Sequence, residues 1–351
     1  MGQGLLEVNN LSVEFSTPMG VVKAVANVSW SLERGEILAI VGESGSGKSV
    51  TALSILQLIT TPPGRIVSGE VLFNNQDLLQ LSEDSIRYIR GRKISMVFQE
   101  PMTSLNPVLS IGRQITEQMK LHLGLNKNEA NQRAVELLKR VGISEAEDRL
   151  HQYPHHFSGG MRQRVMIAMA LSCDPEVIIG DEPTTALDVT IQAQILQLLQ
   201  TLCREMNVGL VLITHNLGVV ARYADRVNVM YAGRIVEHAD AEIIYANPRH
   251  PYTYGLLKSV PRLDSPRGSP LTPIPGNPPD LVDLPEGCAF QPRCHISQSD
   301  CLNSVPALIS AGRAHTVACL YGNERLKEST ACPNILQTNT LLQLHLLKWR
   351  T

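Results

Sequence analysis

Gly42-Glu43-Ser44-Gly45-Ser46-Gly47-Lys48-Ser49 follows the apolar run Ile37-Leu38-Ala39-Ile40-Val41 and precedes a helical pattern from Val50 to Ile59, and this order decides the fold. The stretch fits G-x-x-x-x-G-K-[ST], a phosphate-cradling loop between a buried strand and a helix. Its glycines let successive backbone N–H groups turn inward around a polyphosphate. Lys48 then neutralises the β and γ oxygens, and the Ser49 hydroxyl is placed to bind Mg²⁺. The nucleotide contacts expected are Gly42, Ser44, Gly45, Ser46, Gly47, Lys48, Ser49 and Val50. The plain alternative is an ordinary Gly/Ser turn before a helix, which does not require strand, loop and helix to stand in this register.

Outward from that loop, Leu5 to Phe15 and Val21 to Leu32 read as β segments broken at Thr17-Pro18-Met19-Gly20, and Ser68 to Phe73 and Lys93 to Phe98 as further strands. The apolar spacing turns helical from Ile111 to Val141, which implies an inserted α-helical subdomain over about 105–172. Beyond Ser158, strands at Val177 to Gly180, Val208 to Thr214 and Val227 to Ala232 alternate with helices at Ile191 to Met206 and Leu217 to Ala224. Such alternation predicts an α/β fold with a mostly parallel sheet and ligands at the carboxyl ends of its strands. Near Tyr245 the composition changes. Prolines crowd Pro248 to Pro292, helices are not expected to continue through them, and a small irregular module is predicted over 246–322 after a first domain over 1–245.

Bulk properties narrow the function. A net charge of −2 gives no electrostatic footprint for nucleic acid. The apolar runs fall short of the twenty or so residues that span a bilayer, so a cytosolic chain able to dock on a membrane protein is expected.

Val177-Ile178-Ile179-Gly180 runs directly into Asp181-Glu182. An aspartate ending a buried strand beside a phosphate loop can hold Mg²⁺, and the adjacent glutamate can orient or deprotonate an attacking water. Asp181 is the metal candidate and Glu182 the general-base candidate; a solvated acidic turn is the alternative.

Phe157-Ser158-Gly159-Gly160-Met161-Arg162-Gln163-Arg164 resembles the signature motif of the ATP-binding-cassette (ABC) ATPases. A helix N-terminus carrying serine and two glycines offers N–H groups and a hydroxyl to an anion without obstruction. In that family the surface of Ser158, Gly159 and Gly160 closes on ATP held by a second subunit. The resemblance implies further roles. Gln99 matches the Gln loop that senses Mg²⁺ and water, Thr185-Ala186-Leu187-Asp188 the D-loop, with Asp188 at the dimer seam, and His215 the switch histidine. Asn216 departs from the family's usual aspartate. Phe15 is the candidate for stacking on adenine, with a core phenylalanine as the equal alternative. Implied Mg²⁺ contacts are Ser49, Gln99 and Asp181, and implied catalytic residues are Glu182, His215 and Gln99.

Within that superfamily, Phe98-Gln99-Glu100-Pro101-Met102-Thr103-Ser104-Leu105-Asn106-Pro107, Pro248-Arg249-His250-Pro251-Tyr252-Thr253 and Ile274-Pro275-Gly276-Asn277-Pro278 are similar to the ATPases of dipeptide, oligopeptide and nickel importers. The resemblance implies an ATP-hydrolysing motor peripheral to the cytoplasmic face of the inner membrane. It would pair head to tail with a copy or paralogue and act on two transmembrane permease subunits, served by an extracytoplasmic solute-binding protein. Uptake of nickel or another small solute, and a soluble cassette ATPase outside transport, are the alternatives. The tail 323–351 matches nothing in the family and is expected to fray.

Of seven cysteines, Cys173 and Cys203 sit in core-like helical surroundings. Cys332 lies in the tail and is taken as free. Cys288, Cys294, Cys301 and Cys319, spaced C-x5-C-x6-C-x17-C, fall in the Pro-rich module. A reducing compartment disfavours disulfides, and a small loop-rich segment needs another staple. The set resembles that which holds a [4Fe-4S] cluster in the peptide-importer ATPases, with zinc and free thiols as the other possibilities. A regulatory rather than structural role for this site is a further reading.

Overall fold

The computed structural model describes residues 4–99, 104–185, 187–260, 273–312 and 314–322. The expectations for Glu100 to Thr103, Ala186, Cys332 and the tail lie outside the described residues. The strands, in chain order, are β1 (Leu6–Thr17), β2 (Gly20–Leu32), β3 (Ile37–Val41), β4 (Gly64–Phe73), β5 (Gln76–Asp77), β6 (Ile94–Val97), β7 (Val177–Asp181), β8 (Gly209–Thr214), β9 (Arg226–Tyr231), β10 (Arg234–Asp240), β11 (Ile309–Gly312) and β12 (His315–Val317).

They form two sheets. One has four strands in the order β2-β1-β4-β5, and the other has eight in the order β11-β12-β10-β9-β3-β8-β7-β6. From β9 to β6 the pairing is parallel; β10, β12 and β11 extend the sheet antiparallel. β3 lies inside the parallel part and every residue of it is buried, which explains its unbroken apolar run.

Period-2 alternation sorts the strands onto two cores. Ile178, Leu210 and Leu212 face a core shared with the inserted helices, through Ile115, Met119, Ala134, Leu138 and Ile167. Their chain neighbours Ile179, Val211 and Ile213 face the antiparallel sheet, where Val8, Val13, Val25 and Trp30 cover them. Each fully buried aliphatic or aromatic side chain here stabilises the fold by roughly 1.5–3 kcal/mol.

The inserted helices Ile111–Leu123 and Lys127–Arg140 begin where their caps stand. Ser110 accepts from Arg113 N–H, and Asn126 and Glu129 form a reciprocal capping box. Gly124, at φ 67°, ends the first helix in a left-handed turn.

The sheet does not stop at the composition change near residue 245. β12 pairs with β10, and Tyr252, Phe290, Cys288 and Cys294 share a core with Val41, Val229 and Tyr231. The helix Pro251–Ser259 forms inside the proline-rich stretch because its proline stands at the first helical position. There no N–H is needed, and His250 Nδ1 caps Tyr252 N–H. Strand β10 was hidden in the sequence by Glu237 and His238 at its centre. Glu237 is fully buried, accepting from the N–H groups of Arg249 and His250 and meeting His315 Nε2 at 2.8 Å.

Candidate active site

Four neighbouring parallel strands deliver the site. The phosphate loop leaves β3, His215 follows β8, Asp181 ends β7 with Glu182 next, and Gln99 lies two residues beyond β6. Because parallel strands all point the same way, their carboxyl ends bring together residues from four distant stretches of chain.

Two glycines of the loop are required by space. A Cβ on Gly42 would stand 2.1 Å from the Met230 carbonyl oxygen, and one on Gly47 (φ 102°) 2.3 Å from that of Ala24. Gly47 then starts the helix Lys48–Ile55. Lys48 Nζ donates to the carbonyl oxygens of Gly42 and Glu43, both at 2.9 Å. Burial lowers the lysine's pKa, while the carboxylates of Glu182, Asp181 and Glu43 act to raise it. Phosphate oxygens would act in the same sense as those carboxylates.

Ser49 Oγ donates to Asp181 Oδ1 at 2.9 Å, so the hydroxyl and carboxylate expected to hold Mg²⁺ already meet. Burial, aided by the charge of Glu182, pushes the Asp181 carboxyl above its ordinary value, while the Ser49 bond and Lys48 pull the other way. A divalent cation would join Lys48 in favouring the carboxylate.

Glu182 is the hub. Gln99 Nε2 donates to its Oε2 at 3.1 Å, Thr185 Oγ1 donates to the same oxygen at 2.9 Å, and His215 Nδ1 lies 3.2 Å from Oε1. Its backbone adopts φ 47°, rare for a residue with a side chain, and its N–H donates to the Ile213 carbonyl. That turn aims the side chain between the ends of β6 and β8. Thr185 carried no separate role in the sequence reading, although its place three residues after Glu182 in a turn was a usable signal.

Ser158 caps the helix Gly159–Leu171, its Oγ accepting from Met161 N–H at 3.3 Å, and Ser158 and Gly159 are exposed. Asp188 caps the helix Val189–Glu205 by accepting from the N–H groups of Thr190 and Ile191. The cap places that helix two residues earlier than the apolar pattern indicated. Asn216 makes no side-chain cap for the helix Leu217–Tyr223; its N–H donates to Thr214 Oγ1 at 3.1 Å. Phe15, half-buried on β1, pairs with Val22 and Gly64 and packs toward the core under the antiparallel sheet.

In the carboxyl-terminal part, Cys288, Cys294, Cys301 and Cys319 line one small cavity together with Phe290 and Pro251. The described cysteines form no disulfide. Burial pushes the Cys294 thiol up to about 12, with the other three cysteines adding to the shift. Burial raises Cys288 and Cys319 too, against backbone N–H groups at Phe290, Gln291, Tyr321 and Gly322 that favour their thiolates. Among the described residues no group of three or more His, Cys, Asp or Glu is set to hold a single metal ion. Nor is any described helix long and apolar enough to cross a membrane.

Residues 25–185 match the family described as ABC transporter, and residues 236–301 match the oligopeptide/dipeptide transporter C-terminal region. The oligopeptide transport ATP-binding protein OppD of Bacillus subtilis is 52% identical over 313 residues, covering 89% of this chain and 87% of that protein. OppD of Salmonella typhimurium is 52% identical over 323 residues, covering 92% and 95%. The dipeptide transport ATP-binding protein DppD of Bacillus subtilis is 50% identical over 325 residues, covering 93% and 97%. Among solved structures, the dimeric ATP-binding cassette MJ0796 bound to ADP and Pi superposes with a TM-score of 0.60 at 29% identity, covering 67% of this chain and 98% of that one.

Proposed function

The chain belongs to the ATP-binding proteins of the oligopeptide and dipeptide ABC transporters, and from that premise we propose that it is the ATP-hydrolysing motor subunit of a peptide importer. The observation that carries the chemistry is the convergence of Gln99, Thr185 and His215 on Glu182, next to the Ser49–Asp181 pair. Ser49, Asp181 and Gln99 would hold Mg²⁺, which offsets charge on the terminal phosphates. Lys48 and the loop N–H groups position the β and γ oxygens. Glu182 orients a water in line with the γ-phosphorus and takes its proton, Gln99 and Thr185 fix the carboxylate's direction, and His215 meets the γ-phosphate. The water oxygen bonds to phosphorus as the bond to the β-bridging oxygen breaks, leaving ADP and phosphate.

The exposed Ser158 and Gly159, with the half-buried Gly160, support a head-to-tail pair in which each subunit completes the other's site. The resemblance to a cassette solved as a dimer supports the same reading. Asp188 and the 82%-exposed Val189 would lie at that seam. Closure and release of the pair would move permease subunits through the segment after Gln99, at the cytoplasmic face of the membrane. Phe15 is the proposed adenine contact. The nucleotide unit is assigned to 1–245, with the helical insert at about 105–172, the cysteine module to 246–322 and the tail to 323–351. Crosslinking Val189→Cys, which removes no proposed nucleotide contact, across two subunits in the presence of ATP tests the pairing; nucleotide closed off within a lone monomer would sink it.

The four cysteines fit an iron-sulfur group. The four thiols share one cavity, where burial raises Cys288, Cys294 and Cys319, and cationic iron would favour their thiolates. The backbone N–H groups near their sulfurs match what tunes such clusters. As resident [4Fe-4S] ligands they would staple a segment with little regular structure. Anaerobically purified protein should be brown and yield about four irons and four sulfides per chain, the composition that name denotes. Zinc in their place, or four free thiols, would overturn the cluster.

A further inference from the structure

This inference rests on the reading of the phosphate loop as the nucleotide cradle. Glu43, the loop's second residue, has its N–H and its carboxylate held from the carboxyl-terminal part of the chain. Its N–H donates to the Tyr252 hydroxyl at 2.7 Å. Its carboxylate accepts a two-pronged pair from Arg293, Nη1 to Oε2 at 2.7 Å and Nη2 to Oε1 at 3.0 Å. The Arg293 side chain is only 4% exposed, and its Nε donates to the Pro275 carbonyl at 3.0 Å. Its Nη1 also reaches the Tyr231 hydroxyl at 3.4 Å. Tyr252 is fully buried.

Two physical consequences follow. An unpaired carboxylate at the second position of a loop shaped for a triphosphate repels that ligand, and the guanidinium neutralises it. The fork also fixes direction, which a single contact would not. Direction matters because the Glu43 carbonyl is an acceptor for Lys48 Nζ, so the lie of Glu43 is passed to the phosphate-binding ammonium. Arg293 stands immediately before Cys294, so the tie runs from the cysteine module to the nucleotide.

We propose that Arg293, with Tyr252, is a positioning residue for nucleotide binding, setting the affinity for ATP by neutralising and aiming Glu43. The test measures the dissociation constant of a fluorescent ATP analogue with Mg²⁺ on the full chain, for Arg293→Met, Glu43→Gln and the double variant. Arg293→Met should weaken binding roughly tenfold, the effect of leaving the partly exposed Glu43 carboxylate unneutralised beside the triphosphate. Glu43→Gln should stay within about threefold of the wild type, and the double variant should recover to that level because no carboxylate is stranded. Wild-type affinity in Arg293→Met, or a double variant as weak as the single, overturns the proposal. If Arg293→Met fails to fold, a folded, binding-competent double variant supports it and a second unfolded protein overturns it. Lys48→Ala is the separate control: undiminished binding there would sink the cradle reading itself.

Discussion

At the amino ends of the parallel strands, Glu176 is met by Lys93 at 2.8 Å, by Arg34 and by Asn74; at the carboxyl ends, Glu182 is met by Gln99, Thr185 and His215. The same contrast repeats along the sheet. Before β3 and β9, both Asp225 oxygens accept from Arg204 Nη2, at 2.6 and 2.7 Å, and Oδ2 also accepts from Ile37 N–H, while Arg226 holds Glu36 at 2.8 Å. After β3 and β7, Lys48 lies against its own loop carbonyls and Asp181 against a serine hydroxyl. The carboxylates at one end are saturated by full charges that lock strand ends together. At the other, Glu43 is likewise held by Arg293, but Asp181 and Glu182 have neutral or movable partners, which leaves those two able to take a cation or a water.

This difference can be broken at either end. The largest effect is expected from Glu182→Gln, which keeps the hydrogen bonds but removes the base: turnover by the assembled complex should fall about 10²–10⁴-fold with ATP binding retained. Near wild-type steady-state hydrolysis would refute the base assignment. Gln99→Ala removes one donor to the same carboxylate, worth roughly 1–2 kcal/mol, together with one of the three proposed Mg²⁺ contacts, so turnover at saturating Mg²⁺ and ATP should drop about tenfold. A change in affinity alone would move Gln99 out of the catalytic group.

The smallest effect should come from the saturated end. Burial pushes the Glu176 carboxyl up, but the hydrogen bonds from Lys93, Arg34 and Asn74 outweigh it and hold the group at about 2, below its ordinary 4.5. A depressed carboxyl stabilises the fold fully above its unfolded value, and the gain is lost as pH falls through the folded one. With solvent screening, Glu176→Gln should cost about 1 kcal/mol at pH 7, read as a lower urea midpoint, and leave turnover intact. The gap between the two proteins should narrow as pH falls from 5 toward 2. A constant gap over that range would show that packing, not charge, is what Glu176 supplies.

The mostly parallel character of the sheet was legible from the alternation of strands and helices, and the motifs at its carboxyl side because each is local. A strand, eight contiguous residues and a helix announce the phosphate loop, and an apolar run ending in Asp181-Glu182 announces the second motif. Ser158 was equally readable at its helix start, since a cap lies within three residues of the N–H it serves, whereas Asp188 entered through the family resemblance and its capping was not read. Strand β10 was not, because Glu237 is acceptable inside a sheet only once His315 and two backbone N–H groups are folded against it.

What the sequence by itself determined is the set of chemical groups and the short-range geometry that contiguous backbone imposes on them. Only the tertiary structure decided that Gln99 and His215 share one carboxylate, that four cysteines line one cavity, and that Arg293 grips Glu43 from 250 residues away. The physical reason is range. Propensity and spacing act over a few residues, whereas these contacts exist because sheet pairing and core burial bring distant chain together. Nothing local to either partner records the meeting.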